Sequence, residues 1–360
     1  MTPLTARTGP DRCPGALQPF AAEDGLIVRA RVPGGEVTVA TLQALLQIAV
    51  DYGIPSIQLT TRGNLQIRGL PDPVPSDVAS RMANAGLLPS LTHERARNIL
   101  AVPTNARMRA RARELDRLLR DRPALAGLPG RFLMLLTDRT GIGLTEPYDI
   151  AYVEHGDGSG TVLAGGLGAA CPPDAALEAV LDLAEGFLAE RTDDRVWNIR
   201  DMPASSGLLD GFGPVDIRRG LPLVPGLRGD DLVVGVPLGL LEPRQLSALG
   251  AVADSVVVSP WRSLVVEHGA QHADALSESG LITTGQSTWA RISACPGAPH
   301  CARATSETMD LARRCAAALA VDGPRLHLVG CERRCGHPRT EHVSIVGARS
   351  LDEVRAAIPR

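Results

Sequence analysis

The residues best suited to chemistry sit late in this chain of 360 residues. Cys295-Pro-Gly-Ala-Pro-His-Cys301 spaces two thiols as C-x5-C, and Cys331-Glu-Arg-Arg-Cys335 spaces two more as C-x3-C. Thiolates are soft ligands, and four converging on one point are what an iron–sulfur cluster requires. Prolines and glycines around both pairs suit loops that wrap a cluster closely, with backbone N–H groups donating to the sulfurs. A structural zinc is one rival reading. C-x3-C suits it, but C-x5-C falls outside the usual pair spacing. A disulfide is disfavoured, because seven cysteines, an odd number, do not make a disulfide framework in a chain of this length. Inert buried thiols are the third alternative, and the reading given to Cys13, Cys171 and Cys315.

Composition narrows the classes. With 44% hydrophobic and 21% charged residues the chain is globular and not disordered. Its net charge of −3 provides no general field for nucleic acid. No apolar run approaches the roughly 20 residues of a membrane span, and the opening stretch has no signal-peptide-type segment. A reducing cytoplasm is the expected home. All 37 basic residues are arginine, so abundance alone makes no single arginine functional.

The elements that must position these residues follow from periodicity. Residues 1–24 read as an arm. Leu26–Val32 reads as a strand, closed by Pro33-Gly34-Gly35. Thr38 is placed to cap a helix through Val50, with Leu42, Leu45, Leu46 and Val50 at 3–4 spacing. Strands Ser56–Thr60 and Asn64–Arg68 follow, the second showing Asn64, Gln66 and Arg68 on one face. Ser76–Ala85 and Ala106–Leu119 read as helices. A new unit opens at Leu128-Pro-Gly130, with strands Arg131–Leu136, Asp149–Glu154 and Thr161–Ala164 and helix Asp174–Arg191. Asn198–Asp230 is rich in Gly and Pro and reads as a linker.

After it the opening pattern returns. Strand Asp231–Val236 ends at Pro237, then come helix Pro243–Ala253, strand Ser255–Val258, the corner Ser259-Pro-Trp-Arg262 and strand Leu264–Glu267. This matches the first half, with its corner Thr60-Thr61-Arg62, as a diverged internal repeat of β-turn-α-β-β form. A helix-like stretch, Ala304–Ala320, and strand Leu326–Val329 separate the two cysteine pairs.

C-x5-C followed by Gly-Cys-x3-Cys resembles the cluster motif of the sulfite and nitrite reductase superfamily. Arg29-Ala-Arg31-Val-Pro-Gly-Gly35, Leu59-Thr-Thr-Arg62-Gly-Asn-Leu-Gln66, Arg97-Asn98 and Leu128-Pro-Gly-Arg131-Phe extend the likeness across residues 12–348. The resemblance implies an α+β (α/β mixed) fold of duplicated ferredoxin-like half-domains plus cluster- and tetrapyrrole-binding domains. It divides the chain into 1–120 (arm and first half-domain), 121–200 (a cluster-type domain without cluster cysteines), 201–280 (linker and second half-domain) and 281–360 (the cluster domain). By resemblance Cys295, Cys301, Cys331 and Cys335 hold a 4Fe-4S cluster.

Cys13-Pro-Gly15, Asp24-Gly-Leu26, Ser259-Pro-Trp-Arg262 and Cys331-x3-Cys-x-His-Pro338 are similar to the cobalamin-biosynthesis branch of that superfamily. That branch implies an oxygen-dependent hydroxylation of a precorrin with lactone formation. Its substrate is a reduced tetrapyrrole fringed with carboxylates, which arginine grips bidentately. Arg31, Arg62, Arg97, Arg131 and Arg262, with Asn64 and Gln66, are the candidate substrate residues. In the reductases the strand after the Leu-Pro turn carries two basic residues, whereas Arg131 here is followed by Leu133, which weakens an oxyanion clamp. Sirohaem is expected only under the alternative reading of a sulfite or nitrite reductase; a non-catalytic tetrapyrrole or cluster carrier is a further alternative.

A mononuclear non-haem iron is associated with the branch, but His300, His327, His337 and His342 show no 2-His-1-carboxylate spacing. Gly165-Gly-Leu-Gly168 lacks the third glycine of a dinucleotide fingerprint and reads as a hairpin turn. Electrons are therefore expected from a separate reductase or ferredoxin.

Overall fold

The computed structural model describes residues 7–338 and 340–359, so the first six residues of the expected arm lie outside it. The first half-domain runs β1 (Phe20–Ala22), β2 (Gly25–Ala30), β3 (Glu36–Thr38), α1 (Val39–Asp51), β4 (Ile57–Leu59), β5 (Leu65–Leu70) and α2 (Asp77–Asn84). Thr38 caps α1 as expected, its hydroxyl accepting from the Thr41 N–H at 3.0 Å. Leu42, Leu45, Leu46 and Ala49 then turn one face of the helix into the core.

There follow β6 (Ile99–Ala101), α3 (Ala106–Arg120), β7 (Met134–Asp138), β8 (Ile150–Glu154), β9 (Gly160–Ala164), β10 (Leu167–Ala170) and α4 (Ala176–Glu190). The strand expected from Arg131 begins only at Met134, because the Leu-Pro-Gly turn continues through Phe132, whose N–H donates to the Pro129 carbonyl at 2.8 Å. Gly165 and Gly166, both at positive φ, close the β9–β10 hairpin, as the missing third glycine indicates.

The second half-domain comprises β11 (Gly226–Arg228), β12 (Asp231–Gly235), β13 (Leu240–Leu241), α5 (Pro243–Gly250), β14 (Ser255–Val258), β15 (Ser263–Val266) and α6 (Ala273–Glu278). It repeats the first half-domain element for element, so the internal repeat read from the corners is present. Last come β16 (Ile292–Ala294), α7 (Thr308–Ala318), β17 (Leu326–Val329), β18 (Val343–Val346) and α8 (Leu351–Ala357).

The two half-domains exchange a strand. The first sheet is ordered β1-β2-β5-β4-β13 and its counterpart β11-β12-β15-β14-β3, so each closes its edge with a strand from the other half. All pairings in both are antiparallel. One hydrophobic cluster spans them, with Leu42, Leu45 and Ile67 from the first half against Val234, Leu246 and Leu264 from the second. Sequence separation is the reason β3 and β13 were not foreseen: two- or three-residue strands that pair with a distant edge leave no local period to read.

The other two sheets also correspond. β6, β7 and β8 are parallel neighbours, extended by antiparallel β9 and β10, while β16, β17 and β18 are all parallel. Helices α3 and α4 cover the former, and α7 and α8 the latter. The sheet built on β6 to β10 thus takes β6 and α3 from before residue 120. Among the described residues no helix is long and apolar enough to cross a membrane.

Candidate functional site

Parallel pairing brings the two cysteine motifs together. Ala294 of β16 is level with Leu328 of β17, and the Cys295 N–H continues the ladder to the Leu328 carbonyl at 3.0 Å. Cys295 and, after Gly330, Cys331 therefore leave adjacent strand ends on the same side of the sheet. The Gly330 N–H donates to Cys295 Sγ at 3.3 Å. Both motif glycines are required by packing: a Cβ on Gly330 would meet the Ala304 Cβ at 2.4 Å, and one on Gly297, at φ +68°, would meet Thr308 Oγ1 at 2.3 Å. The Thr308 hydroxyl donates to the Cys295 carbonyl at 2.6 Å and fixes the start of α7 against that loop.

Cys295 is buried, Cys301 and Cys331 are half-buried, and Cys335 is exposed on its loop. The Cys335 thiol nonetheless lies above its ordinary range. Desolvation of its surroundings raises it most, Arg333 acts against this, and the Cys295, Cys331 and Cys301 thiols raise it further. All four cysteines thus share one electrostatic neighbourhood. Among the described residues no three His, Cys, Asp or Glu side chains close on a single-ion site. The four thiols stand on two glycine-bearing loops, with an N–H aimed at one sulfur, and are the residues that could hold a cluster; among the described residues none is assigned to a mononuclear iron.

Behind these loops lies His327, fully buried. Its Nε2–H donates to the Cys335 carbonyl at 3.0 Å, leaving Nδ1 to accept from the Ser293 hydroxyl at 2.9 Å. Burial pushes its pKa down to about 4. The unfolded chain therefore binds the extra proton between pH 4 and 6.5, and stability is lost as pH falls through that window, by on the order of 2–3 kcal/mol. Asp149, which burial raises to about 6, titrates in the opposite sense over nearly the same range. The measurable quantity is therefore a difference: thermal unfolding from pH 4 to 6.5 should rise more steeply in wild type than in His327→Gln. Parallel curves would refute the assignment.

A cavity of about 760 Å³ opens directly beside the Cys335 loop, whose Gly336, His337 and Pro338 form part of its wall. The two half-domain corners contribute Arg62 and Arg262, which are equivalent positions of the repeat. Arg262 sits at φ +55°, unusual for a residue with a Cβ, and its Nη2 donates to the Gly336 carbonyl at 3.3 Å. Burial holds both guanidinium pKa values below the ordinary range. Arg218, Arg228, Arg291 and Arg325 complete a cationic rim, and Trp261 and Trp289 supply flat apolar wall. Nε of Arg62 and both Nε and Nη1 of Arg291 are buried without a partner among the described residues. Glu146 is the carboxylate in this wall, and it accepts from Trp261 Nε1 at 2.9 Å. A concave, cation-rimmed, partly aromatic chamber of this size suits a flat polyanion.

Comparison with known proteins agrees with this architecture. Residues 20–84 match the family model of the nitrite/sulfite reductase ferredoxin-like half domain. The chain is 25% identical to a precorrin-3B synthase from Sinorhizobium sp, covering 94% of this chain and 81% of that protein. It is also 25% identical to a ferredoxin–nitrite reductase from Leptolyngbya laminosa, covering 92% and 78%. The Mycobacterium tuberculosis NirA structure superposes with a TM-score of 0.65 at 16% identity, covering 87% of this chain and 69% of that one. The fold is that of the sulfite and nitrite reductases.

Within this reductase-type fold the remaining expected site residues stand away from the cavity wall. Arg97 is buried and makes a bidentate pair with Asp116, at 2.6 and 3.0 Å. Asn64 donates to Asn98 Oδ1 at 2.8 Å and accepts from the Val32 N–H at 3.2 Å, tying β5 to β2 and to the segment before β6. Gln66 bridges Gln58 and Arg29. Arg131 pairs with Asp11 at 2.6 Å and lies over the Trp197 ring. Arg31 is buried against the arm, donating to the Pro14 and Gly130 carbonyls. Leu133 is fully buried among Leu100, Leu135 and Leu144, so no second basic group stands beside Arg131 at that position.

Sequence reasoning missed much of the rim. Arg218, Arg228, Leu221 and Pro222 come from the Gly- and Pro-rich stretch read as a linker, which forms one side of the cavity. Its lack of periodicity carried no signal for that role. The arm residue Asp11 was unassigned and Cys13 was read as an inert packed thiol, although both lie among Arg29, Arg31 and Arg131.

Proposed function

We propose that the chain is a precorrin-3B synthase-type monooxygenase, acting on a carboxylated tetrapyrrole in aerobic cobalamin biosynthesis. The observation that supports it most is the arginine-rimmed cavity of about 760 Å³ abutting the Cys335 loop. In this reading residues 281–360 form the cluster domain, and Cys295, Cys301, Cys331 and Cys335 hold a 4Fe-4S cluster that supplies single electrons when bound. Arg62 and Arg262 would grip substrate carboxylates from opposite corners, while the Trp261 and Trp289 faces shield the macrocycle from water. Arg262 also holds the Gly336 carbonyl, so substrate contact and cluster loop share one side chain. Arg31, Arg97, Arg131, Asn64 and Gln66 would act behind this wall, setting the strands on which the corner arginines stand. Electrons would come from a separate ferredoxin or reductase, as the name of the nitrite reductase relative indicates for that protein.

A second reading, a sirohaem-dependent sulfite or nitrite reductase, is favoured by the match to the nitrite reductase at the same identity. The buried Leu133 counts against it, since a small oxyanion would lose half of a two-cation grip. Absorption of anaerobically purified protein separates the two. A broad shoulder near roughly 400 nm alone supports the first, and strong sirohaem bands the second. Precorrin-3A, oxygen and a reducing system should then give hydroxylated product. Arg62→Ala should weaken tetrapyrrole binding about ten- to hundredfold, the loss of a charged hydrogen bond, with iron content unchanged. Unaltered affinity would remove Arg62 from the substrate site, and binding without turnover would make the protein a carrier.

A further inference from the structure

Cys13 is not in the surroundings of an inert packed thiol. The described arm runs along the edge of β2, where the Arg29 N–H donates to the Gly15 carbonyl at 3.0 Å, and Glu94 locks it, its carboxylate accepting from the Ala16 N–H at 2.6 Å. Gly15 is required there, because a Cβ would meet Glu94 Oε1 at 2.1 Å. Cys13 Sγ is thereby set against two guanidinium groups, with Arg29 Nη1 at 3.0 Å and Arg31 Nη2 at 3.6 Å. Arg29 is held in turn by Gln66 Oε1, which accepts from its Nε and Nη2 at 3.1 and 2.8 Å. Arg31 is only 2% exposed, and its Nε and Nη1 have no partner among the described residues. The guanidinium touching the sulfur thus keeps buried donors with nothing to donate to. Such orphans cost free energy unless a ligand oxygen meets them.

We propose that Cys13 is a peroxide-reactive site, at which a thiolate held between Arg29 and Arg31 is converted to a sulfenic acid by hydrogen peroxide. The sulfur attacks one peroxide oxygen, an S–O bond forms and the O–O bond breaks. Sulfur gives up two electrons, and the other oxygen departs as hydroxide. Arg31 Nη1, on the guanidinium that already touches Sγ, donates to the oxygen under attack and afterwards to the oxygen on sulfur. Charge supports the geometry. Burial and the nearby Asp11 carboxylate raise the Cys13 thiol, but Arg29, Arg31 and Arg62 together outweigh them and hold it below its ordinary range. Cys171 and Cys315 differ: burial pushes both up. Cys13 is 7% exposed, as Cys171 is, so the two thiols differ in their charged neighbours and not in exposure. Among the described residues all cysteines are free and none acts on Cys13 to resolve the product, so the sulfenic acid persists until reduced from outside.

The test exposes the full purified chain to hydrogen peroxide, then unfolds it in denaturant containing a dimedone-type trap, so that the label reaches every sulfenic acid formed in the folded state, and maps the label by mass spectrometry. Trapped sulfenic acid should accumulate at Cys13 at least roughly tenfold faster than at Cys171 or Cys315. Equal or slower trapping at Cys13 in wild type would overturn the proposal. Arg29→Met, which removes the 3.0 Å contact, should slow Cys13 labelling several-fold and leave Cys315 unchanged. An unchanged Cys13 rate in folded Arg29→Met would equally overturn the guanidinium role. Should that variant not fold, the wild-type comparison decides alone.

Discussion

Arg97→Met should destabilise the chain by about 3–5 kcal/mol, the usual cost of stranding one partner of a buried ion pair. Asp116, itself buried, would lose both bonds of the fork and keep only Arg120, whose Nε lies 3.4 Å away. Arg97→Met combined with Asp116→Leu removes both charges and should recover most of the loss, since replacing a buried pair by apolar groups is often close to neutral. Denaturant unfolding of wild type, the single variant and the pair measures this directly. A single variant within 1 kcal/mol of wild type, roughly the range of an exposed pair, would mean that the fork carries little. The outcome also bears on Arg97 as a substrate residue, because an arginine held for carboxylate binding would lose affinity without losing stability.

Cys295→Ser should abolish the cluster outright. Cys295 is the most enclosed of the four thiols, with the Gly330 N–H and the Thr308 hydroxyl against its sulfur. A serine hydroxyl is a hard and weakly acidic ligand by comparison, and metal affinity is also folding free energy. Iron and sulfide analysis should show near-complete loss, and the unit of β16, β17 and β18 should melt earlier. Wild-type iron and sulfide content in Cys295→Ser would remove this residue from the ligand set and, with it, the reading of the C-x5-C loop.

Much of this was legible in the sequence, for physical reasons. Strand β17, which leads to Cys331, was marked by the apolar run Leu326–Val329, whereas β16, the three residues before Cys295, left no period, and the parallel pairing that brings the two motifs to adjacent strand ends was not readable from local pattern. Helix α1 announced itself through Thr38 and the spacing of Leu42, Leu45 and Leu46. Arg62 and Arg262 were visible because the repeat put them at equivalent corners. Arg97 illustrates the limit. Its motif marked it as important, but whether a guanidinium turns to a cavity or to Asp116, nineteen positions along, depends on how α3 packs. The rim from residues 218–225 depends on where an aperiodic segment is laid down, and Cys13 on an arm whose position is fixed by Glu94 far along the chain. Long-range placement of irregular backbone has no sequence period to betray it.

The traded edges β3 and β13 have a further consequence. Excising either half would leave a five-stranded sheet one strand short and its last ladder open to water or to another molecule. The halves therefore share a border in the thermodynamic sense: when one unravels, the sheet of its twin loses its closing strand. Arg62 and Arg262 stand on opposite sides of that shared border, so whatever loosens the exchanged strands also loosens the frame between the two guanidinium groups.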